Sequence, residues 1–256
     1  MNEPLTADAL LSHLKTAVLG RQTDAYQRIP STQDAALNRG RSARSSPDGC
    51  LFTAESQTRG RGRQNSAWQS PPGVNLLFSV VLEPRARVAR PALFTLAMAN
   101  AVRSAASHAA SLPLLLKWPN DVMLEEGKLC GVLTETYARG KKRGWVVGAG
   151  VNVNADLSDL PPGAASLKDA AGFEFNRAEL LADILARLEE TYSDLQRGEH
   201  ERLLASTRRH SATLGQPVSA ELNGRPFHGV AIDIDDEGAL LARGETGAVR
   251  RIAAPF

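Results

Sequence analysis

The sequence predicts an α+β protein, a sheet domain with helices packed on one side followed by a small unit of short strands. Three features predict it. Strand-like segments follow one another in series at residues 49–54, 74–82, 114–121, 128–133 and 145–154. A long apolar helical stretch, residues 91–110, interrupts them, and from Gly215 the texture changes to short alternating segments.

Each element has its own signal. Leu10, Leu11, Leu14 and Val18 fall at helical spacing, so residues 1–20 read as one amphipathic helix ending at Gly20. Ser31 stands three residues before Asp34 and ahead of an Ala35-Ala36-Leu37 run, which reads as an N-cap opening a short helix. Residues 39–49, rich in Arg, Ser, Gly and Pro, read as an exposed loop. Residues 49–54 and 74–82 then make strands on either side of a polar loop, which keeps the ends of that loop in register while its middle closes. Pro91 suits a first helical turn, and Leu93, Phe94, Leu96, Ala97 and Ala101 continue it as a buried helix. Glu125-Glu126-Gly127 makes a turn, so residues 117–121 and 128–133 are expected to be neighbouring strands of a hairpin that brings Lys117 and Lys128 toward one cleft. Asn176 and Glu179 have capping-box spacing, with Leu180, Leu181, Ile184, Leu185 and Leu188 behind them. A further helix reaches about His210, and turns at Asn223-Gly224, residues 235–238 and residues 244–247 divide the C-terminal strands.

Composition narrows the class. At 256 residues, 43% apolar and 23% charged, the chain can bury one substantial core and a small appended unit. A net charge of +2 is not that of a protein that coats nucleic acid, so basic character is local. Cys50 and Cys130 sit in apolar surroundings without C-x-x-C spacing and read as reduced packing residues. No signal pattern or apolar run of about 20 residues is visible, and a cytoplasmic protein without membrane contact is expected.

The chemistry gathers around residues 55–79. Arg59, Arg61 and Arg63 put three fixed cations into five residues, separated by Gly60 and Gly62, with nothing apolar to bury between Glu55 and Ser66. Such a loop repels itself when empty, and its backbone N–H groups and guanidinium forks suit carboxylate or phosphate oxygens. Trp68 supplies a flat apolar lid. A Gly/Arg run by itself is more commonly a flexible surface loop or a nonspecific nucleic-acid contact. Two further stretches change that reading: Lys117-Trp118-Pro119-Asn120-Asp121 continuing to Gly127-Lys128-Leu129-Cys130-Gly131, and Gly148-Ala149-Gly150-Val151-Asn152. In this order and spacing the three resemble the signature of the biotin–protein ligases, from about Ser31 to the C-terminus.

The resemblance implies a class II synthetase-like mixed sheet, residues 1–210, and an SH3-like β barrel, residues 211–256. It implies an ATP-dependent enzyme that activates biotin to biotinyl-5'-AMP, releasing pyrophosphate. The biotin then passes to a lysine of a biotin carboxyl carrier domain. Gln57, Gly60, Arg61, Gly62, Arg63 and Gly131 would line the biotin side, with Ser31, Thr32 and Gln33 at the ureido ring. Gln33 stands where the family has Asn. Lys128 would reach the carboxylate being activated, while Trp68, Lys117, Asn120, Asp121 and Asn152 face ATP together with Arg63. Asp121 would hold Mg²⁺, and Arg63, Lys117 and Lys128 would be catalytic. The chemistry calls for cations rather than a nucleophile, since two anions must approach each other. A lysine usually ends a strand in solvent, but Lys117 and Lys128 lie among residues that otherwise read as buried, which argues for a cleft.

Two departures from the family are visible: Ser66-Ala67 stand where another Arg is common, and Phe256 ends the sequence short of a Gly-rich tail. Some thirty residues precede the first motif, too few for a winged-helix unit, so no operator binding is expected. An edge strand could pair two subunits as a homodimer. The competing readings are a lipoate or octanoate transferring enzyme of the same fold, a nucleic-acid-binding regulator, and a biotin-sensing protein without catalysis.

Overall fold

The computed structural model describes residues 3–84, 90–222 and 224–254. Asn223, Pro255 and Phe256, on which parts of the C-terminal reading rest, lie outside them. In chain order the elements are α1 (Ala7–Leu11), β1 (Thr23–Tyr26), α2 (Thr32–Ser42), β2 (Leu51–Ala54), β3 (Leu76–Leu82), α3 (Pro91–Ala110), β4 (Leu114–Lys117), β5 (Asp121–Leu124), β6 (Gly127–Arg139) and β7 (Lys142–Val151). There follow α4 (Leu167–Ala171), α5 (Arg177–Gln196), α6 (Glu201–Arg209), β8 (Pro217–Leu222), β9 (Arg225–Ile234), β10 (Leu240–Gly244) and β11 (Val249–Ile252).

β1 to β7 form one mixed sheet in the order β1-β2-β3-β7-β6-β5-β4, with β1 parallel to β2 and the other neighbours antiparallel. The long helices α3 and α5 cover one face, over a core that includes Leu51, Val80, Leu82, Phe94, Val147 and Leu185. On the other face α2 packs Ala36 and Leu37 against Phe52, Val81, Tyr137 and Val146. With both faces covered at its centre, β3 is buried at every position rather than alternating. α3 runs over the expected span and opens on Pro91, and the Asn176 side chain accepts from the N–H of Ala178 and Glu179 to start α5.

Two helix boundaries differ from expectation. The N-terminal helix stops at Leu11. Beyond it, the Glu189 carboxylate of α5 accepts the N–H groups of Ala17, Val18 and Leu19 at 2.6–2.8 Å, a tertiary satisfaction of donors that replaces the helical one. Val18 is exposed, so the apparent apolar stripe ends at Leu14. Conversely α2 continues through the Arg39–Ser42 stretch expected to be loop, because Gly40 lies against the Tyr137 ring, where a Cβ would come within 2.6 Å.

The C-terminal unit is a four-stranded antiparallel sheet, β11-β10-β9-β8, consistent with a small SH3-like barrel. It docks beside the site-bearing turn, where the Trp118 indole N–H donates to the Gly238 carbonyl at 3.0 Å. Among the described residues no helix is long and apolar enough to cross a membrane.

Candidate active site

A cleft of about 380 Å³ opens over the middle of the large sheet, between the N-terminus of α2, the arginine loop and strands β3, β5, β6 and β7. Its two ends differ in chemistry.

One end is neutral, polar and buried. Ser31, Thr32 and Gln33 at the start of α2 are all under 5% exposed. Ser31 Oγ caps the helix by accepting from Asp34 N–H at 3.4 Å. Gln57 Oε1 accepts from the Thr32 N–H at 2.7 Å and its hydroxyl at 3.1 Å, and Thr32 Oγ1 lies 3.0 Å from Ser79 Oγ. The Ser79 hydroxyl donates to Gln33 Oε1 at 3.0 Å, and Gln33 Nε2 donates to the Val146 carbonyl at 3.2 Å. The longer Gln33 is accommodated because residue 148 is glycine: a Cβ there would stand 2.4 Å from Gln33 Oε1. Each hydroxyl has one proton. Ser79 gives its own to Gln33, and Thr32 has only protein acceptors within reach, so both oxygens are left to accept hydrogen bonds from a guest.

The other end is cationic. The loop closes as a narrow hairpin, with Trp68 N–H donating to Gly60 O at 3.0 Å and Gly62 N–H to Ser66 O at 2.7 Å. A Cβ on Gly60 would lie 2.4 Å from the Trp68 carbonyl, so this closure requires glycine. The loop is not left to repel itself. Arg61 bridges Asp34 at 2.7 Å and Glu135 at 2.8 Å, two carboxylates remote in sequence. Arg63 is half-buried and donates to Asn120 Oδ1 at 2.6 Å. Burial pushes its pKa down against the opposing attraction of Asp121, from an ordinary value so high that the guanidinium remains charged. Lys128 Nζ stands 2.8 Å from Asp121 Oδ1 and 5.7 Å above the Trp68 ring. That ring lies flat on the glycines of β6 and β7, where a Cβ on Gly150 would meet it at 2.3 Å.

Gln57, Arg61, Gly62, Arg63, Trp68, Asn120, Asp121, Lys128 and Gly131 thus share one cleft with residues 31–33. Gly60 contributes the backbone closure behind it. Lys117 is not brought in. The turn at Pro119 and Asn120 starts a separate strand, β5, so there are two hairpins rather than one, and β5 lies between β4 and β6. Lys117 is exposed and lines a different cavity with Leu115, Met123 and residues of the C-terminal unit. Asn152 is 3% exposed and lies behind the cleft, its amide donating to the Lys128 carbonyl at 3.4 Å. Asn120 belongs to the turn and to the cleft at once, its own amide fixed by the Val132 carbonyl at 2.9 Å.

Sequence reading missed Phe78, Ser79, Gly148 and Ala149 as lining residues, and Asp34 and Glu135 as partners of Arg61. The period-two geometry of a strand could have placed Ser79 on one face with Leu77 and Val81, but not above a particular cleft. Cys130 lies fully buried beside the site, and burial ahead of the nearby Asp121 charge pushes its thiol far up, so it supplies no thiolate.

Among the described residues no cluster of three His, Cys, Asp or Glu could hold a metal alone. Asp121 still fits Mg²⁺, which binds through one or two carboxylates and completes its shell with water and substrate phosphates. Asp121 Oδ1 is buried, and its contact with Lys128 is an ion pair without hydrogen-bond geometry, so an acceptor is available there.

Comparison with known proteins agrees with this geometry. Residues 25–152 match the biotin/lipoate A/B protein ligase family, and residues 213–254 match the biotin protein ligase C terminal domain. The bifunctional ligase/repressor BirA of Bacillus subtilis is 32% identical over 239 residues, covering 91% of this chain and 73% of its own. The biotin–[acetyl-CoA-carboxylase] ligase of Mycobacterium tuberculosis is 32% identical over 94% of this chain and 90% of its own. The biotin protein ligase from Aquifex aeolicus in complex with biotin and ATP superimposes with a TM-score of 0.77 at 27% identity, covering 91% of this chain and 96% of that one.

Proposed function

The chain belongs to the biotin/lipoate A/B protein ligase family, and from that membership we propose the following assignment of its residues to the steps of biotin ligation. The enzyme joins biotin to ATP as an adenylate and passes it to a lysine of the carrier domain of a biotin-dependent carboxylase. The observation that carries this reading is the polarity of the cleft: a neutral end of hydroxyl and amide oxygens, and a cationic end made by Arg63 and Lys128.

The ureido ring, with two N–H donors and a carbonyl, enters the neutral end, its N–H groups donating to Thr32 and Ser79. The valeryl carboxylate then extends toward Lys128. A lipoyl ring offers neither donor nor acceptor and would leave the remaining acceptor capacity of those oxygens unused, which favours biotin over lipoate. Arg63 and Lys128 neutralise the approach of the carboxylate oxygen to the α-phosphate of ATP. A P–O bond forms as the bond to pyrophosphate breaks. Asp121 would hold Mg²⁺, which would supply charge withdrawal at the phosphates, and Lys128 turns from Asp121 toward the anionic substrate. Trp68 covers the adenylate and keeps water from the anhydride. In the second step the carrier amine attacks the biotinyl carbonyl as a neutral nucleophile. The cations around it disfavour ammonium, and AMP leaves. With Lys117 on another cavity, this role falls to Lys128 and Arg63.

We extend the reading to a catalytic unit at residues 1–210 and an appended barrel at residues 211–256. The test is direct. The protein is incubated with biotin, ATP, Mg²⁺ and a carrier domain, following pyrophosphate release and carrier mass. A biotinylated lysine is expected; equal turnover of lipoate, or pyrophosphate release that does not depend on biotin, would overturn the assignment.

A further inference from the structure

The arginine loop leaves the sheet at Glu55 and returns at Asn75, and one buried side chain from a distant helix touches both feet. Arg177, the first residue of α5, is 3% exposed, yet nothing in the neutral-to-cationic cleft requires it. Its Nη1 donates to Glu55 Oε2 at 2.8 Å and to the Asn75 carbonyl at 3.2 Å, and Nη2 donates to Glu55 Oε1 at 3.2 Å and to the Glu3 carbonyl at 2.8 Å. Backbone contact reinforces the closure, since Gly73 N–H donates to the Glu55 carbonyl at 2.9 Å.

The second foot continues into the site. Asn75 is 2% exposed, and its Oδ1 accepts from Val153 N–H at 2.8 Å. Its Nδ2 donates to Ser70 Oγ within the loop at 3.0 Å and to Asn152 Oδ1 at 3.4 Å. Asn152 in turn donates to the carbonyl of Lys128. An unbroken run of polar contacts therefore joins the feet of the loop to the strand that carries Lys128.

We propose that Arg177, with Glu55 and Asn75, is a positioning residue for the ligation reaction: it fixes the span between the two ends of the arginine loop and so sets how closely Arg63 and Trp68 approach the cleft. The inference deepens the biotin-ligase reading and rests on it for its kinetic consequence, though not for its structural one. A planar fork suits the task, because one guanidinium reaches a carboxylate and a carbonyl at fixed angles. A buried charge pair is costly to desolvate and weak evidence of stability, so its presence at the base of the arginine loop calls for a geometric explanation.

The test uses the intact protein and two readouts. Arg59, Arg61 and Arg63 are trypsin sites inside the loop, so the rate of limited cleavage in the absence of substrates reports how often the loop opens. Glu55→Gln keeps size and shape but turns one acceptor into a donor facing the guanidinium; Arg177→Lys keeps the charge and loses the fork. Each is expected to speed loop cleavage about tenfold, the ratio between a charge-assisted and a neutral hydrogen bond. KM for biotin and ATP should rise by a similar factor at temperatures well below Tm. Asn75→Asp, which replaces the donor to Ser70 and Asn152 with an acceptor and buries a carboxylate, should loosen the second foot in the same direction. Glu83→Gln breaks a buried ion pair away from the loop and serves as control: Tm falls, while cleavage and KM stay as in the wild type. If Glu55→Gln and Asn75→Asp behave like that control, the proposal fails and Arg177 is only a core ion pair. Cleavage is read without substrate, so a wild-type protein that does not biotinylate a carrier would overturn the functional reading and leave the clamp to be judged by cleavage alone.

Discussion

Lys128 Nζ lies 2.8 Å from Asp121 Oδ1, on adjacent strands of the sheet, so the cation at the centre of the cleft is held by a carboxylate before any anion arrives. Both side chains keep contact with solvent, and the pair contributes little to stability. Its value is positional: under the proposed assignment, an anionic guest would draw Lys128 from Asp121 without unpacking the core.

Lys128→Met is therefore expected to lower the rate of biotinyl-AMP formation by about 10² to 10³-fold, as loss of a charge-stabilising donor does elsewhere. Tm should move by no more than the few degrees associated with about 1 kcal/mol. Single-turnover pyrophosphate release and a melting curve on the same preparation check both halves. Lys117→Met, by contrast, should leave adenylation near the wild-type rate, because that side chain is exposed on another cavity.

Asp121→Asn removes the carboxylate proposed for Mg²⁺ while keeping a side chain of the same size. The concentration of Mg²⁺ giving half-maximal adenylation should rise about tenfold or more, the scale seen when a metal's supporting groups are altered. An unchanged Mg²⁺ dependence would remove Asp121 from the metal and leave it as the partner of Lys128 alone.

Gly150 has no room for a methyl group under the Trp68 ring. Gly150→Ala should push that indole off the sheet at a stability cost of about 1–3 kcal/mol. If Trp68 covers the adenylate, the same variant should raise KM for ATP and let biotinyl-AMP escape, seen as biotinylation of bystander lysines. Fluorescence of Trp68, isolated by comparison with Trp68→Phe, reports whether the ring has moved.

How much of this was legible in the sequence depended on the range of the forces involved. The span of α3, the Asn176 cap and the cleft motifs from Arg63 to Gly131 depend on periodicity, capping chemistry and short spacings, which a linear reading can see. The pairing of Arg61 with Asp34 and Glu135 spans 27 and 74 residues, so a linear reading gives a self-repelling loop although α2 and β6 supply its counterions. Linear periodicity extends the N-terminal helix too far for the same reason, since the carboxylate that takes the N–H groups of residues 17–19 belongs to Glu189, some 170 residues away. Lys117 stands outside the cleft because Pro119 and Asn120 form a turn between β4 and β5 rather than part of one strand; the extra strand moves the side chain sideways by one sheet spacing, about 4.8 Å.

The last expectation concerns acid stability and lies far from the chemistry. Glu83, 7% exposed, receives Arg139 Nη2 on both carboxylate oxygens at 2.6 and 2.7 Å and the Ser46 hydroxyl at 2.8 Å. Burial alone would raise its pKa, but the Arg139 and Ser46 hydrogen bonds, with the charges of Arg139 and Lys142, hold it below the ordinary glutamate value. A carboxyl depressed in the folded state adds stability above its unfolded pKa of about 4.3, and that stability is lost as pH falls through the unfolded and then the folded value. Tm of the wild type should thus exceed that of Glu83→Gln at pH 7, and the gap should close below about pH 4.3. Arg139→Met should show a gap to the wild type of the same sign, and a wider one at neutral pH. With Arg139 gone, only the Ser46 hydroxyl and Lys142 at 3.7 Å face the buried carboxylate; it becomes destabilising at neutral pH by less than the ~3–5 kcal/mol of an uncompensated buried charge, and protonation relieves it. Stability of Arg139→Met relative to the wild type should therefore rise on acidification, and melting curves from pH 3 to 7 on the three proteins measure both slopes.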